Sequence, residues 1–272
     1  MTQGKVWFIT GASRGFGRVW TEAALERGDK IVATARKPEA LADLVGRYGD
    51  AVLALALDVT DAAAVSSTVQ RGFEHFGRLD IVVSNAGYGQ IGMIEEIEIE
   101  SARRNFETNF FGTLSVIKAV LPLLRAQGSG HIISVSSGAG LVSFPMGGIY
   151  SATKYAVNGL ADSLSQEVAQ FGIKVTIVEP GPFATDFSTN TLTALPMGEY
   201  DALRAQMFAA HGELLDPSTY PDPKSTIATL LKVIDMDRPP LHLLLGHKLL
   251  PMVEQIYANR LETMREGAAL ST

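Results

Sequence analysis

The chain alternates between short, almost wholly apolar runs and longer stretches with a helical period. The apolar runs are Lys5–Thr10, Lys30–Ala35, Val52–Leu57, Ile81–Ser84, His131–Ser134, Lys174–Val178 and Leu241–Leu245. Segments such as Val6-Trp7-Phe8-Ile9 and Ile81-Val82-Val83 show no polar alternation, the pattern of a strand covered on both faces. Helical patterns lie between them at Phe16–Glu26, Pro38–Tyr48, Ala62–His75, Ile99–Ala126, Ser151–Gln170 and Ser225–Ile234. This repeated β-α-β order predicts a doubly wound α/β fold: a seven-stranded parallel sheet with helices on both faces.

No linker divides the 272 residues, so one domain over 1–272 is expected. The alternation breaks after the sixth strand, where Pro180, Pro182, Pro196, Pro217, Pro221 and Pro223 cluster. An irregular excursion of this length inside a domain is usually functional, and the stretch of about 183–224 is read as an insertion that covers the site. The tail beyond Gly246, with Leu249, Leu250, Met252, Val253, Ile256 and Tyr257, is too apolar to stay free. It is expected to pack as a C-terminal helical segment over about 247–272, beside the site or on a neighbouring copy.

Composition narrows the chemistry. With no Cys, disulfides, zinc–thiolate sites, iron–sulfur clusters and a thiol nucleophile are excluded. His211, His242 and His247 show no ligand spacing with acids, so no metal is assigned. A net charge of −6 without Lys/Arg runs argues against a nucleic-acid partner. The N-terminus lacks the apolar core and cleavage site of a secretion signal, and no uninterrupted apolar run approaches the roughly 20 residues of a membrane span. A cytoplasmic protein without a membrane partner is expected.

The first strand runs into Gly11-Ala12-Ser13-Arg14-Gly15-Phe16-Gly17 and then a helix. A tight strand-to-helix turn needs residues free to take positive φ, and missing Cβ atoms let a pyrophosphate approach the backbone. The helix N-terminus then offers unpaired N–H groups. Alone, the glycines could serve turn geometry; their place in the first βαβ unit points to a Rossmann-type dinucleotide site.

The spacing is Thr-Gly-x-x-x-Gly-x-Gly over Thr10–Gly17, and it resembles the short-chain dehydrogenase/reductase family in its single-domain form, a likeness that covers about residues 5–246. Dinucleotide folds place an acid at the end of the second strand to hold the ribose 2′-hydroxyl. Here Ala35 takes that place and Arg36 follows. A guanidinium attracts the 2′-phosphate that a carboxylate would repel, and Arg14 lies within the glycine turn, so NADP (NADPH) is expected over NAD. The resemblance implies further cofactor contacts. Asp58-Val59 would meet the adenine, and Asn85-Ala86-Gly87 would brace the sheet and lie along the cofactor. Pro180-Gly181-Pro182-Phe183-Ala184-Thr185 would lie against the nicotinamide, with the Phe183 backbone and the Thr185 hydroxyl meeting the carboxamide so that the B face donates hydride.

Tyr150-Ser151-Ala152-Thr153-Lys154 resembles the family's Tyr-x-x-x-Lys signature, with Ser137 after the fifth strand and Asn109 completing the set. A second Tyr-x-x-x-Lys, Tyr220 to Lys224, has Pro221 and Pro223 inside and cannot form a regular helix. Asn105 is not the family's asparagine in this alignment. Reduction of a ketone or aldehyde needs a hydride on carbon and a proton on oxygen. A phenol ionises near pH 10; the Lys154 ammonium and an oxidised nicotinamide both favour phenolate. Tyr150 is thereby expected as general acid in reduction and general base in oxidation. Ser137 would bond the carbonyl oxygen. By resemblance, Lys154 bonds the nicotinamide ribose and Asn109 holds a water in a proton relay.

For the substrate, Phe187, Leu192, Leu195, Met197, Tyr200, Leu203, Met207, Phe208, Leu214 and Leu215 in the excursion, together with Leu141, Val142, Phe144, Pro145 and Met146 and with Tyr88, Gln90 and Met93, suit an apolar or aromatic carbonyl or alcohol. The stripe Tyr200, Leu203, Met207 and Phe208 equally fits core or an oligomer interface. The resemblance extends to the branch holding steroid- and retinol-type dehydrogenases and bacterial ketoreductases, and implies a homo-dimer or homo-tetramer. The alternatives are a non-catalytic NAD(P)-binding sensor or scaffold on the same fold, and an epimerase or dehydratase of the extended relatives.

Overall fold

Seven parallel strands form the main sheet of the protein, a computed structural model that describes residues 4–246 and 249–271, with backbone alone for 211–215. The strands are β1 (Val6–Ile9), β2 (Lys30–Ala35), β3 (Val52–Ala56), β4 (Ile81–Ser84), β6 (Gly130–Val135), β7 (Ile173–Pro180) and β9 (His242–Leu245), in spatial order β3-β2-β1-β4-β6-β7-β9. Two further short strands, β5 (Gln90–Ile91) and β8 (Leu192–Thr193), pair with each other. Phe8 stands level with Val32 on one side and Val82 on the other. The order reverses beside β1, so the crevice at the carboxyl ends of β1 and β4 is the topological switch point where such sheets bind ligands.

The apolar runs are apolar because both faces are covered. Trp7 and Ile9 face one core, shared with Val19 and Trp20 of α1 (Gly15–Glu26), Leu44 of α2 (Ala42–Tyr48), and Leu230 and Ile234 of α8 (Ile227–Asp235). Val6 and Phe8 face the other, shared with α3 (Ala62–Phe76), α5 (Gly112–Gln127) and α6 (Gly148–Val168). Trp20 is wholly buried, and its indole N–H donates to the Thr226 hydroxyl at 2.9 Å, tying α1 to the start of α8. The start of α3 is fixed by Asp61, whose carboxylate accepts from the Ala64 N–H at 2.9 Å, and its end by Gly77 at φ 76°.

The structure corrects several expectations. The single helix over Ile99–Ala126 is two, α4 (Ile99–Phe106) and α5, joined by a π-helical turn at Glu107–Phe111. Asn109 sits in that turn with its side chain turned inward, and its carbonyl accepts from the Thr113 hydroxyl at 2.9 Å. By length and mean hydropathy Ile99–Gln127 is long and apolar enough to cross a bilayer, although it holds no unbroken apolar run of that length. Here Val116, Ile117, Val120 and Leu124 are instead packed on the sheet. The start of Pro38–Tyr48 is a tighter 3₁₀ turn over Pro38–Leu41.

In the excursion, α7 (Asp201–Leu215) forms, but its stripe is not core: Leu203 and Phe208 are exposed, and none of the helix's described residues is buried. The side chains of His211, Leu214 and Leu215, and all of His247, lie outside the described residues. The last helix, α9 (Leu249–Ala269), buries Leu249 and Val253 against Leu141 and Val142. Those two residues, expected as pocket wall, are therefore core beneath α9. Arg260 ties α9 to α6 by donating to the Tyr155 hydroxyl at 3.0 Å, and Tyr155 in turn donates to the Leu141 carbonyl.

Candidate functional site

The glycine turn is built for close backbone approach. Gly11 and Gly15 take φ of 68° and 53°, the left-handed region that side chains avoid. At Gly17 a Cβ would stand 2.3 Å from the Gly11 carbonyl oxygen and 2.6 Å from the Asn85 amide nitrogen, so only glycine fits. No side chain caps α1 and its first turn carries no acid, which leaves its N–H groups and positive dipole end facing the turn. Ser13 lies part-buried in the turn. Arg14 and Arg36, the latter directly after β2, are exposed, and among the described residues no carboxylate pairs with either. These features fit a dinucleotide phosphate: a cradle without Cβ atoms, a helix N-terminus and two unpaired guanidinium groups.

Thr10 couples this turn to the next loop. Its hydroxyl accepts from the Asn85 and Ala86 backbone N–H groups at 2.9 and 3.0 Å, and the Asn85 amide donates to the Thr10 carbonyl at 2.9 Å. Gly87 follows, where a Cβ would come within 3.0 Å of Asn109 Oδ1 and 3.6 Å of Lys154 Nζ. Asp58, exposed after β3, accepts from the Thr60 N–H and hydroxyl through one oxygen. Val59 is buried against Gly112. Over the turn lies the loop that leaves β7 at Pro180. The Gly181 N–H donates to the Leu245 carbonyl at 2.8 Å, Phe183 meets Phe16 edge-on at 5.3 Å, and the Thr185 side chain lies 3.7 Å from where a Gly15 Cβ would be.

Ser137, Tyr150, Lys154 and Asn109 converge at the same edge of the sheet. Ser137 heads a short turn after β6, and its hydroxyl accepts from the Ala139 N–H at 3.1 Å. Tyr150 and Lys154 occupy the first turns of α6, one turn apart and on one face. The Lys154 ammonium is buried, donates to the Val135 carbonyl at 2.9 Å and lies 5.8 Å from the centre of the Tyr150 ring. Burial pulls this amine down to about 8. Burial also pushes the Tyr150 phenol up to about 12, opposed by a hydrogen bond with Ser137. Desolvation of phenolate thus sets the direction in the protein alone, against the expectation that Lys154 and an oxidised nicotinamide favour phenolate.

The Asn109 side chain is bonded at both atoms of its amide. Its Oδ1 accepts from the Tyr88 N–H at 3.0 Å, and its Nδ2 donates to the Tyr88 carbonyl at 3.0 Å and the Thr153 hydroxyl at 3.1 Å. Asn105, set aside on sequence grounds, is also wholly buried here and donates to the same Tyr88 carbonyl at 3.0 Å. Tyr220 and Lys224 lie in irregular chain and a 3₁₀ turn and share no helical face. Among the described residues no cluster of three His, Asp or Glu side chains forms a metal site.

Sequence reasoning missed Glu96 and Arg204. Glu96 accepts from the Met93 and Met197 N–H groups, both at 2.8 Å, and from Arg204 at 2.6 Å, joining the segment after Gly87 to the excursion. Spacing carries no signal for partners this far apart in the chain.

A family model described as short chain dehydrogenase matches residues 5–195. Oxidoreductase BOA17 of Botryotinia fuckeliana is 43% identical over 243 residues, 89% of each chain. The 3-ketodihydrosphingosine reductase of Bacteroides thetaiotaomicron is 33% identical over 258 residues, covering 94% of this chain and 91% of its own. A short-chain dehydrogenase from Streptomyces avermitilis superposes with a TM-score of 0.91 at 36% identity, covering 100% of this chain and 98% of its own. One from Burkholderia phymatum, solved with NAD, gives 0.79 at 26% identity, covering 93% and 92%. Further similar structures carry NADP.

Proposed function

The chain belongs to the short-chain dehydrogenase family, and from that premise we propose that it interconverts an apolar or aromatic ketone or aldehyde with its alcohol, using NADP, with Tyr150 as the general acid and base. It is an oxidoreductase acting on CH–OH groups with a nicotinamide cofactor. The observation that carries the proposal is the convergence of Ser137, Tyr150 and Lys154 beside the glycine turn and beneath the loop from Pro180 to Thr185.

When bound, the cofactor supplies or takes up the hydride. Gly11, Gly15, Gly17 and the start of α1 would hold its pyrophosphate, and Arg14 and Arg36 would hold the 2′-phosphate. Asp58 and Val59 would meet the adenine, and Asn85, Ala86 and Gly87 would lie along the cofactor. In reduction, Tyr150 gives its proton to the carbonyl oxygen, which Ser137 steadies by a hydrogen bond. A phenol held near 12 is protonated at neutral pH and is ready for that direction. The oxidative direction needs phenolate, which a nearby positive charge favours. Lys154 would bond the ribose. A relay water at Asn109 would use the second lone pair of its backbone carbonyl, whose first accepts from the Thr113 hydroxyl.

Phe187 lies 5.5 Å from the Tyr150 ring, and buried Met93 sits in the adjoining segment, which supports an apolar substrate. The chemically complete Ser-Tyr-Lys set speaks against a non-catalytic scaffold. The family resemblance supports assembly as a homo-dimer or homo-tetramer. The direct test of the function is NADPH oxidation with a panel of apolar ketones and aldehydes: turnover is expected, and none across the panel would overturn the proposal.

A further inference from the structure

The excursion after β7 meets residues 89–97 at several points, and two of its contacts, from the Met197 N–H and from Arg204, meet at Glu96. Its first part pairs β8 with β5, with the Leu192 N–H donating to the Gly89 carbonyl at 2.9 Å and the Ala194 N–H to the Ile91 carbonyl at 2.8 Å. Its second part, α7, buries none of its described residues. At its start the Tyr200 hydroxyl donates to Glu95 at 2.6 Å, and Arg204 bonds the helix to Glu96. The guanidinium is 13% exposed and the Glu96 side chain 1%, an enclosed pair at 2.6 Å on an otherwise exposed helix. Arg204 also donates to the Met197 carbonyl, while the Met197 N–H donates to the same Glu96 oxygen. Glu96 is held down to about 2, first by the Met197 N–H and then by Arg204, so it stays charged across the working pH range.

The segment carrying Glu96 touches the catalytic helix as well. The Gly92 N–H donates to the Met146 carbonyl at 2.9 Å, and a Cβ on Gly148 would meet the Ile94 side chain at 2.5 Å. On the other side, a Cβ on Gly89 would press on Phe187, the ring that faces Tyr150. Position passes from α6 through residues 89–97 to the excursion.

We propose that Glu96 and Arg204 form a latch that fixes the covering segment over Tyr150, acting as positioning residues that select substrates by size without touching them. The inference rests on the assigned reductase reading for its substrate arm only. A hydrogen-bonded ion pair shielded from water is strong in this geometry; loss of Arg204 leaves Glu96 without its counter-charge, and loss of Glu96 leaves Arg204 the exposed Asp201 at 3.3 Å as counter-charge.

The test uses Glu96→Gln, Arg204→Met, their double variant and Arg204→Lys, each confirmed folded by thermal melt. The first readout is the rate of chymotrypsin nicking within residues 187–208, mapped by mass spectrometry, which needs no substrate. Each single change is expected to speed nicking on the order of tenfold, the double no more than either single, and Arg204→Lys less than Arg204→Met. The second readout compares benzophenone with cyclohexanone. KM for the bulky ketone is expected to shift about tenfold relative to the small one, with kcat and NADPH affinity unchanged. Wild-type nicking rates, or effects that multiply in the double variant, would overturn the latch. Faster nicking with an unchanged KM ratio would overturn its role in selection. If neither ketone is turned over, the reductase reading falls on its own, while the nicking series still decides the latch.

Discussion

The Lys154 ammonium donates to the Val135 carbonyl at 2.9 Å and stands 5.8 Å from the centre of the Tyr150 ring. The end of β6 thus holds the amine at a fixed place behind the phenol, and the helical spacing of α6 fixes the phenol relative to the amine. Lys154→Met removes the charge and strands a buried carbonyl. It is expected to lower turnover about a hundredfold and to weaken cofactor binding. Steady-state kinetics with calorimetric cofactor titration checks both, and a variant with wild-type turnover would remove Lys154 from the mechanism.

The proposed preference for NADP rests on Arg14 and Arg36. Arg36→Asp is expected to reduce kcat/KM with NADPH by about 10- to 100-fold, the range for one charge-assisted contact, while NADH is little affected or improved. The ratio of kcat/KM values for the two cofactors measures it. A wild-type preference for NADH would refute the assignment.

Gly17→Ala places a methyl group against backbone, 2.3 Å from the Gly11 carbonyl oxygen, with no flexible side chain to yield. A cost of about 1–3 kcal/mol is expected, together with loss of cofactor binding because Asn85 is displaced. Thermal melting with and without NADPH reads both effects; a variant that melts and binds as wild type would contradict the close approach.

The sheet was legible because its strands are buried on both faces, so Val6-Trp7-Phe8-Ile9 and Ile81-Val82-Val83 read as strands without any tertiary knowledge. Glycine identities announced the turn for the same reason: Gly11, Gly15 and Gly17 are fixed by backbone geometry, which leaves a direct mark in sequence. Long-range pairings leave none. The π-turn at Asn109 is set by Tyr88 and Thr153, and the parallel pairing of Gln90 with Leu192 joins two fragments too short to show a period. The stripe on α7 had helical spacing, but period alone does not say whether a face is covered.

His131, in β6, predicts acid sensitivity. Burial first, then Lys174 and Lys5, pull its imidazole down to about 4, and its Nδ1 has no partner among the described residues. Above its unfolded value of 6.5 the ring is neutral in both states and contributes nothing to pH dependence. As pH falls from 6.5 toward 4, the unfolded chain takes up the proton and the native state does not, so stability is lost by roughly 3 kcal/mol over that window. His131→Phe is expected to flatten the fall between pH 6.5 and 4 in denaturant titrations. An unchanged slope would show that the native ring takes up its proton as readily as the unfolded one.

The central claim is that the Tyr150 hydroxyl delivers the proton to the reacting oxygen. The most direct measurement is NADPH oxidation with an apolar ketone by Tyr150→Phe, alongside calorimetric NADPH binding to the same variant. The account predicts turnover reduced about 10²- to 10⁴-fold with cofactor affinity unchanged. A Phe variant that reduces the ketone at the wild-type rate would contradict it.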